Sequence, residues 1–269
     1  VDLGMQDGTV PGNHEDGSTA VADPVVSGAV AALADRASAY LLAGYGLHLH
    51  GPIGSGRTTL AGLIAKARGR PVLALAGSSD PVSVLTAACL RGATLLADGA
   101  GAELAAIAPP LAGALCGTIA AGPVDPAFRA IVVTAPGEAL GPWLADRLVP
   151  LCCDGPDRET EIAIAASRSG LPAEEAGRIV DMVRDIRRSR EYAERPSLRC
   201  TIALCRLAQA LGCAVSADDP RFMALVLDIL GARLRHTADG LPDPRHRQML
   251  AGLVGHFCAE RPRAQAVAA

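Results

Sequence analysis

At 269 residues the chain can hold one large domain, or a large one and a small one. Half of it is apolar but only 3% is aromatic, so the core must be built from Ala, Val, Leu and Ile. A net charge of −3 excludes a general nucleic-acid coat, which needs a basic excess.

Residues 1–24 read as a disordered, acidic lead-in without a signal-peptide pattern. In "SGAVAALADRASAYLLAG", Val30, Leu33, Ala37 and Leu41 recur at helical spacing, and Gly44 closes the helix. "YGLHLHG" is then a short apolar strand, "TTLAGLIAKARG" a helix closed by Gly69, and "RPVLALAG" a second strand. Strand, glycine loop, helix and strand in this order make a βαβ unit with the loop at the first strand's carboxyl end. "ATLLAD" at 93–98 and "RAIVVTA" at 129–135 add two buried parallel strands, with Ala-rich helical material between them. Ala105 to Val124 carries no charge, but its Pro109-Pro110 pair and its many small residues argue against a membrane span.

After Asp154 the texture changes. "DRETEIAIAASRSG", "PAEEAGRIVDMVRDIRRSR", "SLRCTIALCRLAQALG" and "DPRFMALVLDILGARLR" are amphipathic helical segments. The expected organisation is an α/β fold: a P-loop core over 25–154, its parallel sheet flanked by helices. A small all-helical lid domain with a C-terminal helix follows over 155–260, and 261–269 form a tail.

Chemistry concentrates in "HGPIGSGRTT". Glycines in such a loop uncover backbone N–H groups that wrap phosphates at a helix N-terminus. Gly51, Pro52, Gly54, Ser55, Gly56, Arg57, Thr58 and Thr59 are therefore the candidate phosphate-binding residues. In a P-loop a lysine reaches the β and γ phosphates, and the hydroxyl residue after it joins the Mg²⁺ shell. Here Arg57 stands at the lysine position and Thr58 at the hydroxyl position. Asp98, ending an apolar strand, is the candidate Mg²⁺-shell acid; Gly99 follows where a catalytic glutamate belongs, with Glu103 as a possible stand-in. The third strand should end in a polar residue that orients water; it ends with Thr134 and then Ala135.

Other features take bland readings. The eight cysteines lack metal-site spacing and read as small buried thiols. His48 and His50 share one strand face without a third ligand nearby, and read as core or loop supports. "RDIRRSREYAER" is mixed in sign and helical, which favours a solvated face.

These residues resemble the MoxR branch of the AAA+ ATPases, and within it the gas vesicle GvpN family. "RASAYLLAGYGLHLHGPIGSGRTTLAGLIAKARGRPV", "LTAACLRGATLLADG" and "FRAIVVTAPGEALG" are similar to that family's nucleotide loop, Walker B approach and sensor-1 strand. "DRLVPLCCDGPDRETEIAIAASRSGL", "RIVDMVRDIRR" and "RPSLRCTIALCRL" are similar to its lid, so that roughly residues 35–230 are covered. The resemblance implies ATP or ADP and Mg²⁺ as cofactors. It also implies a cytoplasmic, gas vesicle-associated ring of like or mixed subunits, working with vesicle shell or accessory proteins and with neither nucleic acid nor membrane. It assigns Arg199 in "PSLR" to sensing the γ-phosphate, and Arg147 in "LADRL" to acting on a neighbour's nucleotide. Arg57, Gly99 and Ala135 replace the family's Lys, Glu and Asn, so ATP hydrolysis is expected to be slow or lost. A non-enzymatic scaffold subunit of vesicle biogenesis, and a MoxR-type chaperone for another client, stay open beside the slow ATPase.

Overall fold

A computed structural model describes residues 28–189, 195–231 and 244–259. The acidic segment 1–24 and the tail 261–269 lie outside the described residues. Helix α1 (Gly28–Leu42) leads into strand β1 (Gly46–His50), and helix α2 (Arg57–Ala67) starts where the glycine loop ends. Strand β2 (Val72–Ala74), helix α3 (Pro81–Leu90), strand β3 (Thr94–Asp98) and helix α4 (Gly101–Leu115) follow. A small hairpin of β4 (Thr118–Ile119) and β5 (Gly122–Pro123) then leads to strand β6 (Arg129–Val133). A short helix α5 (Pro142–Ala145) precedes strand β7 (Leu148–Cys152). Five helices complete the described chain: α6 (Arg158–Ser169), α7 (Ala173–Arg188), α8 (Leu198–Leu211), α9 (Pro220–Gly231) and α10 (Pro244–Phe257).

The main sheet has the order β2-β3-β6-β1-β7, and all its neighbours run parallel. Every strand therefore delivers its carboxyl end to the same edge, which is where parallel α/β sheets bind ligands. Alternation along the strands builds the two faces. Leu47, Leu49, Ile131 and Val133 pack with α1 and α2 on one face, while Ala97, Ala130, Val132 and Leu148 pack with α3, α4 and α5 on the other. Each fully buried Leu or Ile in these layers contributes about 1.5–3 kcal/mol. A third core, around Ile179, Val183, Leu204 and Phe222, is confined to α6–α10.

Strand β7 and the charged cluster of α7 differ from the sequence expectations. Strand β7 was not expected, because Pro150 interrupts its pattern; as the sheet's edge strand it tolerates a residue without an N–H. Pro109 and Pro110 sit inside the continuous helix α4, on its exposed side. No described helix is long and apolar enough to cross a membrane. In the charged cluster of α7, Arg184 and Arg187 are not part of a solvated face. Both reach Glu161 of α6, whose side chain is only 2% exposed, at 3.4 Å and 2.5 Å. Arg187 also donates to the Pro196 carbonyl at 2.7 Å, which ties α6, α7 and the start of α8 together. A buried carboxylate needs such partners, since removing them leaves an uncompensated charge.

Candidate functional site

The loop at 51–56 ends on Gly56, which caps α2 in a left-handed conformation without any side-chain cap. The first N–H groups of a helix have no intrahelical partner, and here no side chain takes their place. They form an anion cradle at the positive end of the helix dipole. Two loop glycines are closely approached: a Cβ on Gly51 would stand 2.3 Å from the Cys153 carbonyl oxygen, and Gly54 meets the lid. A Cβ built on Gly54 would stand 2.6 Å from Ser197 Cβ and 3.2 Å from the Leu198 nitrogen. The N-terminus of lid helix α8 thus rests directly on the phosphate loop.

Between loop and lid lies a cavity of about 610 Å³, in the size range of small-molecule sites. Residues 54–59 form its polar floor, and Arg199, in the first turn of α8, looks into it from the lid. Leu33, Leu63, Ile164 and Ile202 give it an apolar wall. Ser55 Oγ is buried without a hydrogen-bond partner, which suits a site that takes a polar ligand. The cradle, the orphan hydroxyl and the apolar wall together fit a nucleotide. Mg²⁺ takes oxygen ligands and is commonly held by one or two protein groups plus substrate phosphates. The Thr58 hydroxyl and the Asp98 carboxylate are of that type. Among the described residues no group of three or more His, Cys, Asp or Glu side chains could hold a metal alone.

On the sheet side the loop meets different surroundings. Arg57 crosses to the end of β6 and donates from Nη1 to the Thr134 carbonyl. Buried Thr134 shares a 2.9 Å hydrogen bond with His48 Nε2. Burial, and then the neighbouring His50, hold the His48 imidazole below its ordinary pKa of 6.5. A second cavity of about 460 Å³ opens here, bounded by His48, His50, Gly51, Thr134–Glu138 and Pro150. Asp98 ends β3 half-buried, and Gly99 after it is exposed at φ 66°.

The structure brings Gly54 to Thr59 and Arg199 together around the large cavity. Gly51 borders the second one, Pro52 is exposed, and Asp98 lines neither. Arg147 lies apart at the α5–β7 junction, where Nη1 donates to the Trp143 carbonyl at 2.6 Å and Nε to Cys116 Sγ at 3.1 Å. Glu103, the stand-in base, is turned elsewhere. Its Oε1 accepts from the Gly77 N–H at 2.9 Å, and its own backbone N–H and that bond hold its carboxyl below the ordinary range. Cys116 and Cys152 are exposed and depart from the buried-thiol expectation; the other six cysteines are buried and all eight are free. Burial pushes the Cys153 thiol up to about 11.

Two residues escaped the sequence reading. Asp154 lines the cavity at the hinge to the lid, and Glu138 lies beside Ala135 in the second cavity. Glu138 had a signal: it follows the sensor position by three residues, within reach of one turn.

No protein-family model matches the chain. It is 31% identical to the gas vesicle ATPase GvpN of Ancylobacter aquaticus, over 87% of this chain and 81% of that protein. Among solved structures it is similar to two point mutants of Thermotoga maritima RuvB. One has a TM-score of 0.55 at 20% identity, covering 80% of this chain and 72% of that one. The other has a TM-score of 0.52 at 15% identity, covering 88% and 97%. The second likeness extends over nearly all of that RuvB chain, so the shared fold includes the helical part as well as the sheet. The fold is a P-loop AAA+ core followed by a helical domain, and the chain belongs to the GvpN family.

Proposed function

We propose that this protein binds ATP or ADP with Mg²⁺ between its phosphate loop and its lid, hydrolyses ATP slowly, and assists gas vesicle assembly. In this reading residues 54–59 cradle the phosphates, with Gly51 and Pro52 shaping the entry to the loop. Thr58 and Asp98 hold the Mg²⁺ shell, Arg199 senses the γ-phosphate from the lid, and Arg147 serves a neighbouring subunit in a ring. Bound Mg²⁺ would neutralise charge on the β and γ phosphates. The clients are vesicle shell or accessory proteins in the cytoplasm.

What carries the reading is the Arg57 contact with Thr134. The one cation at the lysine position is drawn toward a backbone carbonyl at the end of β6, while the N–H cradle beside it keeps its shape. A guanidinium is planar and wider than an ammonium, so it cannot replace lysine at the phosphates without a shift of the loop. Such a site is expected to bind nucleotide but to stabilise transferring charge poorly.

The test is a titration of the full-length protein with fluorescent ATP and ADP in the presence of Mg²⁺, followed by phosphate release under single-turnover conditions. Both nucleotides should bind, with slow release that Thr58→Ala abolishes. Absence of binding at millimolar nucleotide would refute the ATPase reading and leave a scaffold subunit.

A further inference from the structure

We propose that Glu138 supplies the water-activating carboxylate that Gly99 cannot, an inference that rests on the nucleotide reading above. The loop after β6 curls back in a turn, with the Glu138 N–H donating to the Ala135 carbonyl at 3.1 Å. That turn returns the Glu138 side chain to the strand end, where Oε2 accepts from the Ala135 N–H at 2.8 Å. Its other oxygen, Oε1, lies 3.6 Å from the point where a Cβ on Gly101 would stand. The carboxylate therefore spans the gap between the end of β6 and the start of α4, three residues past Asp98. Gly99 and Gly101 have no side chains to close that gap, and a Cβ on Gly99 would meet nothing within 4 Å. Glu103, the nearer acid in sequence, is committed to Gly77.

A second relation links Glu138 to Arg57 of the phosphate loop through one peptide group, and Glu138 shares the second cavity with Gly51 of that loop. The Thr134 carbonyl, which takes the Arg57 bond, and the Ala135 N–H, which goes to Glu138, belong to one peptide group. No cis peptide occurs among the described residues, so the two groups point in opposite directions across that plane. Arg57 and Glu138 thus bracket a single peptide, cation on its oxygen and anion on its N–H. Each bond polarises the peptide in the sense that strengthens the other. The arginine that departs from the motif and the carboxylate that would replace the missing base are held in register by the same strand end.

The step is a proton transfer coupled to attack. As the water oxygen bonds to the γ-phosphorus, Glu138 takes a proton from it. The bond from that phosphorus to the β–γ bridging oxygen breaks, and its electron pair leaves on the nucleoside diphosphate. The products are inorganic phosphate, nucleoside diphosphate and a protonated Glu138 that returns its proton to solvent.

The experiment compares full-length wild type, Glu138→Gln and Glu138→Asp in three readouts: affinity for ATP and ADP with Mg²⁺, single-turnover phosphate release, and the identity of the nucleotide recovered after incubation. Gln keeps a carbonyl oxygen for the Ala135 N–H, so the loop is retained; circular dichroism and melting temperature check this. Glu138→Gln is expected to bind both nucleotides within about twofold of wild type and to lose turnover by about 10²-fold or more. Its bound nucleotide should be recovered as triphosphate. Glu138→Asp, with charge but shorter reach, should fall between. Nucleotide binding with turnover within threefold in Glu138→Gln would overturn the assignment. So would a wild type that binds ATP and never releases phosphate. A wild type that binds no nucleotide would instead overturn the proposed function itself, and this inference with it.

Discussion

The two sides of the phosphate loop are finished differently. On the lid side, Gly54 is pressed against Ser197 so closely that even a methyl group does not fit. On the sheet side, Gly99 stands in open space and Ala135 is exposed. The altered residue Arg57 links the two, reaching from the loop to the end of β6. A tight backbone contact is intolerant of any side chain, whereas an open position can change its side chain without disturbing the fold. In the proposed reading, the difference separates the loop shape offered to a nucleotide from the groups offered to the attacking water, and each can be altered without the other.

The largest effect is expected from breaking the tight side. Gly54→Ala places a Cβ 2.6 Å from Ser197 Cβ at a φ of 78°, where an L-residue is strained. The combined cost is about 2 kcal/mol or more, from the left-handed backbone and from overpacking. The lid must also move off the loop, so nucleotide affinity should fall at least about tenfold, a change of roughly 1.4 kcal/mol. Thermal unfolding and nucleotide titration measure the two parts separately. A melting temperature and affinity equal to wild type would mean that α8 does not rest on the loop in solution.

The open side answers differently. At Gly99 a Cβ would meet nothing within 4 Å, so Gly99→Glu has room for its first carbon, yet Gly99 sits at φ 66°, which only glycine adopts freely. The expected cost is about 1 kcal/mol, or roughly 2–4 °C in melting temperature. Gly99→Ala should cost the same, because the penalty is in the backbone. No recovery of hydrolysis is expected from Gly99→Glu, since the strained turn does not aim the new carboxylate. Rapid turnover in that variant would show that the sheet side lost only a side chain and kept its geometry.

Much of this architecture was legible in the sequence, for identifiable reasons. The glycine loop stood between a short apolar run and a helical one, and the parallel strands at 94–98 and 129–133 read as continuous apolar segments. Gly54 to Thr59 and Arg199 came from motif position, and all of them border one cavity. Strand β7 was illegible because Pro150 breaks a strand pattern and only an edge position forgives it. The Glu161 network was illegible because its partners lie 23 and 26 residues away on another helix, and charge runs look alike whether solvated or buried. Glu138 was missed because its neighbours are set by a turn, and turns bring side chains to strand ends that linear spacing does not connect.

The smallest expected effect tests whether the sheet side is the titrating one. His48 is held below its ordinary 6.5 by burial and by His50 on the same strand. The groups facing it are His50 on β1, the Thr134 hydroxyl just past β6 and, across the second cavity, Glu138; Pro150 of β7 adds no charge. A base whose folded pKa is lowered favours the fold while neutral. Its contribution is fully present above pH 6.5 and is lost as pH falls through the lower folded value. The melting temperature should therefore be flat near neutrality and decline on acidification. In His48→Gln, which keeps an amide to meet the Thr134 hydroxyl, part of that decline should disappear, while the Gly54 contact with the lid carries no titrating group and should respond to neither change. Equal acid slopes in wild type and His48→Gln would move the titration away from the sheet side. A smaller slope in the variant would tie it to the strand end that also holds Thr134, the acceptor of Arg57.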